Sequence, residues 1–180
     1  MNSRTAVMIP DAVSVPFVGP DGVLVALDDA EVAFRVIGPA GIRIVGSTSD
    51  LSVVDDGQRL TVAVSLVKLT TGIPLRDAHM REHYLQVARF PSARLTVARA
   101  ELKFPDFNGA EGTATGIMTI HGQSREVTFH YSAVRGGAWM HVSAEAEIDM
   151  TDYGVVVPPY LGMTVRPGVA LRVSFSVLES

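Results

Sequence analysis

The sequence predicts one mostly-β domain whose antiparallel sheet closes into a barrel, with a single short helix between two groups of strands. Three observations predict it. Apolar and polar residues alternate along most of the chain, the period of two expected of strands with one buried face. Tight-turn signals separate the alternating runs, and no strand–helix alternation points to a parallel sheet. Only Thr71 to Pro91 carries helical character.

The 180 residues fit a single domain. Apolar content of 47% against 19% charged residues describes a globular, rather oily chain. A net charge of -4 and the lack of a clustered Lys/Arg stripe argue against a nucleic-acid surface. With no cysteine, a disulfide framework, a Cys-ligated metal site and a thiol nucleophile are excluded. The opening residues, broken by Pro10, Asp11 and Pro16, lack the layout of a signal peptide, and no run reaches the ~18 apolar residues of a membrane span. The expectation is a soluble, cytoplasmic protein with no cofactor.

Residues 1–21 carry Pro10, Pro16 and Pro20 without alternation and read as an irregular arm; 22–180 form the domain. Val23, Val25 and Leu27 begin a first strand. Val32, Phe34 and Val36 alternate with polar or small residues, then Ile42 and Ile44 follow a glycine-flanked turn. Leu51 to Val54 and Leu60 to Leu66 flank Asp55-Asp56-Gly57, a hairpin signal. The helix is expected over Leu75 to Val87, with Pro74 in its first turn and Ile73 a poor N-cap. Met80, Tyr84 and Val87 form its apolar stripe, and Asp77 and Arg81 are spaced to pair on its surface. Phe90-Pro91 ends it. Ala93, Leu95 and Val97 alternate next. Asn108-Gly109, Gly122-Gln123 and Gly136-Gly137 mark three further tight turns. From Ala138 the even-numbered residues Met140, Val142, Ala144, Ala146 and Ile148 face one way, against Trp139, His141 and Glu145 on the other side. Val169 to Val177 alternates again after a Gly/Pro-rich connection.

The strand from Ala138 to Met150 would span roughly 40 Å at about 3.3 Å per residue. So long a strand is hard to keep straight in a sandwich and easily used bent in a barrel. A barrel of about eight strands is either filled by its own side chains or holds one small ligand. Small and flexible inward residues favour a ligand, but a packed core also uses Val, Ala and Met, and on composition alone that plainer reading is the stronger.

A resemblance bears on this choice. Ser65-Leu66, Thr70-Thr71-Gly72, Arg76-Asp77-Ala78-His79-Met80-Arg81 and Phe90-Pro91 occur in order ahead of an alternating strand. Gly116 to Gly122 with Arg125-Glu126-Val127-Thr128 forms a "GxLTIxG…xxVT"-like hairpin, and Ile148 to Gly154 a late segment ending in an aromatic and glycine. Together they resemble the YceI-like family of polyisoprenoid-binding barrel proteins over roughly residues 30 to 178. Met150 stands where that family usually carries arginine. The resemblance implies a lipocalin-like, eight-stranded antiparallel barrel that binds an isoprenoid, quinone or other lipid in its lumen, often as a homodimer and without catalysis. Tail contacts then fall to Phe34, Val36, Val62, Val64, Leu95, Val97, Met118, Ile120, Phe129, Tyr131, Met140, Val142, Leu171, Val173 and Phe175. Arg76, Asp77 and His79 are headgroup candidates, or else a structural ion pair fixing the helix.

Other readings are weaker. His79 and His83 share a helix side but lack a third metal ligand in sequence. His121, His130 and His141 are expected on solvent-facing strand positions. No Gly-x-Ser-x-Gly elbow supports a hydrolase. Tyr153, Pro158, Pro159 and Tyr160 form either a lid or a plain loop. Two alternatives stay open: a cavity enzyme using Asp77, His79 or Tyr131 as acid or base, and a filled barrel acting through its surface.

Overall fold

The computed structural model describes residues 23–24, 29–106, 108–159, 162 and 164–178. The arm over residues 1–21 and Tyr160 lie outside them. A two-residue strand β1 (Val23–Leu24) precedes β2 (Glu31–Ile37), β3 (Arg43–Thr48), β4 (Leu51–Asp55) and β5 (Arg59–Ser65). Helix α1 (Pro74–His79) follows, then β6 (Ser92–Ala98), β7 (Ala110–Ile120), β8 (Gln123–Gly136), β9 (Trp139–Asp149) and β10 (Gly168–Leu178).

All pairings are antiparallel, in the order β1-β4-β5-β6-β7-β8-β9-β10-β2-β3. The described chain thus has nine strands of five residues or more, against the eight expected. The extra one arises because one stave is interrupted at Ser49-Asp50. β3 pairs with β2 and β4 pairs with β5, so the two halves of that stave join the ends of the sheet. Ser47 and Thr70 exchange N–H···O bonds of 2.8 and 3.0 Å across the seam, and Ser65 N–H donates to Asp50 O at 2.9 Å. The result is a nearly closed barrel, which removes the exposed sheet edges that invite aggregation.

Turn chemistry sets the register. Gly57 takes φ 85° between β4 and β5, where Asp56 Oδ1 accepts from Arg59 N–H at 2.6 Å. Between β7 and β8 the turn residues are His121 and Gly122, with φ of 52° and 73°, the left-handed pair that matches strand twist. Asn108-Gly109 departs from expectation. It closes a short turn on Asp106 at the end of a long β6–β7 connection. β6 and β7 pair only over Arg94–Thr96 with Ile117–Thr119, so their far ends diverge too much for a two-residue link.

The helix also departs. α1 stops at His79 and continues as a π-helical turn over Met80–Tyr84. Leu85 N–H donates to Met80 O and Val87 N–H to Arg81 O, both at 2.8 Å, and Gln86 then turns away at φ 49°. The wider winding brings Leu85, in place of Val87, beside Met80 and Tyr84.

Two clusters of buried side chains stand on the inner wall of the barrel. Far from the helix, Ala30, Val53, Ala133, Met140, Phe175 and Val177 form one buried cluster; Val97, Ala114, Phe129 and Tyr131 form another. Nearer the helix, inward residues such as Val62, Val64, Leu95 and Met118 are only half-buried.

Candidate functional site: an apolar lumen

Those half-buried side chains face a cavity of about 460 Å³ within the barrel. Alternation dictates its walls: residues on the inward face of each stave are Val, Ala, Leu, Ile, Met, Phe or Tyr, while their neighbours in sequence point outward. All fifteen positions expected to touch a ligand tail line this cavity. Phe34, Val36, Leu171, Val173 and Phe175 come from β2 and β10, and Val62, Val64, Leu95 and Val97 from β5 and β6. Met118, Ile120, Phe129 and Tyr131 come from β7 and β8, with Met140 and Val142 on β9.

Two glycines shape these walls. Gly46 pairs across the sheet with Phe34, and a Cβ there would overlap the Phe34 ring. Gly112 pairs with Tyr131, where a Cβ would come within 3.2 Å of the phenol oxygen. That oxygen accepts from Lys103 N–H at 2.6 Å and so pins the β6–β7 connection against the barrel floor.

The helix end is roofed by elements that period-two reasoning missed. Met80, Tyr84 and Leu85 line the cavity from the helical segment, and Met150, Tyr153, Val155, Val157 and Val165 from the late connection. The signal available was the Val155-Val156-Val157 run, whose alternation is too short to stand out. Tyr153 is fully enclosed; burial raises its phenol pKa, Asp152 adds to the rise, and Arg125 opposes it.

Charged groups lie at the edges of this space. Arg94, Glu145 and Arg172 border it but occupy outward strand positions, and Glu145 and Arg172 pair at 2.6 Å on the exterior. Lys103 is exposed on the β6–β7 connection. Arg76 is different. It is half-buried on α1 at the roofed end, its Nε donating to Thr71 Oγ1 at 2.8 Å and its Nη2 to Thr71 O at 3.2 Å. Among the described residues its Nη1 has no hydrogen-bond partner.

The other two headgroup candidates do not line the cavity. Asp77 is buried, not surface-paired as its spacing from Arg81 suggested. Its carboxylate accepts from Thr70 Oγ1 (2.5 Å), Thr71 Oγ1 (2.5 Å) and Thr71 N–H (2.7 Å), with Arg81 Nη2 at 3.9 Å. Burial pushes its pKa up, but these hydrogen bonds and Arg81 outweigh burial and bring it to about 2. The group fastens α1 to the Thr70–Thr71 segment and, through Thr70, to β3. His79 is exposed, its ring 5.5 Å from that of His83, and no group of three or more metal-ligating side chains occurs among the described residues.

The remaining histidines divide. His130 and His141 are exposed, as expected. His121 instead sits in the β7–β8 turn against the Phe90 ring, centroids 4.5 Å apart, with Nε2 buried and without a hydrogen-bond partner among the described residues. His141 belongs to a Ser-His-Asp grouping on the outer wall. Ser174 Oγ lies 3.2 Å from Nε2 and Ser176 Oγ 3.0 Å from Nδ1. The Asp29 carboxylate is bonded to Ser176 Oγ at 2.5 Å and stands 3.6 Å from the imidazole. The carboxylate therefore engages the intervening serine, and the grouping ties the start of β2 to β10.

The fold and site define a β-barrel with a deep apolar lumen, roofed at one end by a short helix. A sequence model of the YceI-like domain matches residues 28–177, and the chain belongs to that family. Among solved structures it is similar to a polyisoprenoid-binding domain from Saccharophagus degradans, with a TM-score of 0.72 and 15% identity over 88% of this chain and 98% of that one. It is similar also to BcnA of Burkholderia cenocepacia (TM-score 0.67, 14% identity, 82% and 95% covered). The Campylobacter jejuni YCEI protein aligns with a TM-score of 0.57 and 19% identity over 75% of this chain and 84% of its own. No curated protein sequence matches the chain. Among the described residues, no helix is long and apolar enough to cross a membrane.

Proposed function

We propose that this protein binds a long-chain apolar amphiphile, an isoprenoid, quinone or similar lipid, with its tail in the lumen and its polar head at the helix end. The observation that carries the reading is the cavity of about 460 Å³, walled by aliphatic and aromatic side chains. Each buried methylene is worth about 0.8 kcal/mol, so about fifteen buried carbons supply roughly 12 kcal/mol before ordering costs are subtracted. Shape and dryness do most of the selecting, and one polar contact suffices to orient the head. Arg76 is that contact: it reaches the roofed end of the lumen and is held in place by Thr71. The similar Saccharophagus degradans domain, described as polyisoprenoid-binding, supports the same reading. The reading is of a carrier or store without catalysis. Asp77 serves as a clamp, His79 stands outside the lumen, and the Tyr131 hydroxyl is committed to Lys103 N–H.

The test is solvent extraction of protein purified from its native host, followed by mass spectrometry, alongside titration with a polyprenol and a quinone. A stoichiometric lipid, or saturable binding abolished by Ala144→Phe in mid-lumen, is expected. Repeatedly empty protein with no thermal shift on adding either ligand overturns the reading.

A further inference from the structure

The lumen carries a positive charge that nothing in the protein balances. The charged residues along its lining are Arg76, Arg94, Lys103, Glu145 and Arg172. Arg94, Lys103, Glu145 and Arg172 are exposed, and Glu145, the one carboxylate of the set, is paired with Arg172 at 2.6 Å. Arg76 alone of them is half-buried. Among the described residues, no carboxylate lies within ion-pair distance of it. Its neighbour in sequence, Asp77, is turned to Thr70 and Thr71 and has Arg81 as its cation. A guanidinium drawn partly out of water ordinarily has an anion beside it, because burying a charge without a partner is unfavourable.

The bonds Arg76 already makes leave one edge of the guanidinium open. Nε–H and the Nη2–H next to it form one fork, and Thr71 fills that fork with Oγ1 at 2.8 Å and its carbonyl oxygen at 3.2 Å. The other fork, Nη1–H with the second Nη2–H, has no partner among the described residues. Two parallel N–H groups match two oxygens of a carboxylate or a phosphate. Thr71 also fixes the guanidinium plane, so little side-chain freedom remains to be lost when a ligand head arrives.

We propose that Arg76 makes the lumen selective for acidic amphiphiles, with a carboxylate or phosphate monoester head in the open fork and the tail along the apolar wall. A hydroxyl, ester or quinone oxygen can accept from the same donors but carries no charge, and charge-assisted bonds are roughly twice as strong as neutral ones. The proposal rests on the apolar-ligand reading above and adds to it the sign of the head.

Titration of the full chain with hexadecanoate, hexadecyl phosphate, hexadecanol and methyl hexadecanoate compares four heads on one tail, at mildly alkaline pH and below the concentrations at which they aggregate. At least one anion should bind roughly tenfold or more tightly than both neutral ligands, and the tighter anion identifies the head. Arg76→Gln should erase that preference by weakening the anion. Should this variant not fold, Arg76→Lys replaces it: the charge stays, the fork is lost, and the preference should fall several-fold. Neutral ligands that bind as tightly as the anions, or a preference that survives intact in the folded variant, overturn the selectivity while the apolar-ligand reading stands. Failure of all four ligands to bind wild type overturns both.

Discussion

At the scale of single residues, Asp77 does the most for the least volume. It takes three hydrogen bonds from two threonines and ties α1 to the segment just ahead of it. Removing it breaks three charge-assisted hydrogen bonds at once, so Asp77→Ala should cost about 2–3 kcal/mol in chemical denaturation. Its pKa is lowered on folding, so the ionised carboxylate is the stabilising form. That contribution is complete above 3.8 and disappears as pH falls toward about 2. The stability gap between wild type and Asp77→Asn should accordingly be widest near neutrality and shrink through this acid window. Gly46 makes an opposite kind of demand, for the absence of a side chain. Gly46→Ala would push against the Phe34 ring and Thr70 O, and should cost about 1–3 kcal/mol while shifting Phe34 into the lumen.

At the scale of elements, alternation was the legible part. Strands β2, β5 to β7, β9 and β10 place on the lumen the residues that period two assigned there, because a strand has only two faces and one of them is apolar. The helical segment was less legible. Its stripe of Met80, Tyr84 and Val87 assumes α winding throughout, but a π turn follows Met80, and winding is set by what the segment covers. The difference is measurable. Leu85→Asp puts a carboxylate into the roof of the lumen and should lower both stability and affinity for a lipophilic probe. Val87→Asp, outside the cavity, should change affinity little. An α-helical segment would give the reverse order.

At the scale of the whole molecule, the barrel encloses an apolar lumen lined from the helical roof down to Met140, Phe175 and Val177. A bound tail adds apolar contacts along the lumen wall and so stabilises the folded barrel. Saturation at about 100 times Kd should raise unfolding free energy by about 2.7 kcal/mol, visible as a concentration-dependent rise in Tm. Closure itself depends on the broken stave. Thr70 meets Ser47 at the seam while its hydroxyl binds Asp77, so helix attachment and barrel closure share one residue. Loosening the Asp77 clamp should therefore speed amide exchange at Ser47 and Thr70 as well as in α1, which hydrogen exchange would detect.

The sequence by itself determined the all-β class, the inward face of most strands and the position of the one helix, since each follows from local periodicity and turn chemistry. Only the tertiary structure decided whether the inward faces meet or stand apart. Alternation says which side of a strand is dry; the distance across the barrel depends on how every stave tilts and closes against the others. The same long-range geometry places Arg76 at the roofed end of the lumen, buries Asp77 against the Thr70–Thr71 segment, and turns Val155 and Val157 into a roof, contacts for which no local pattern is required.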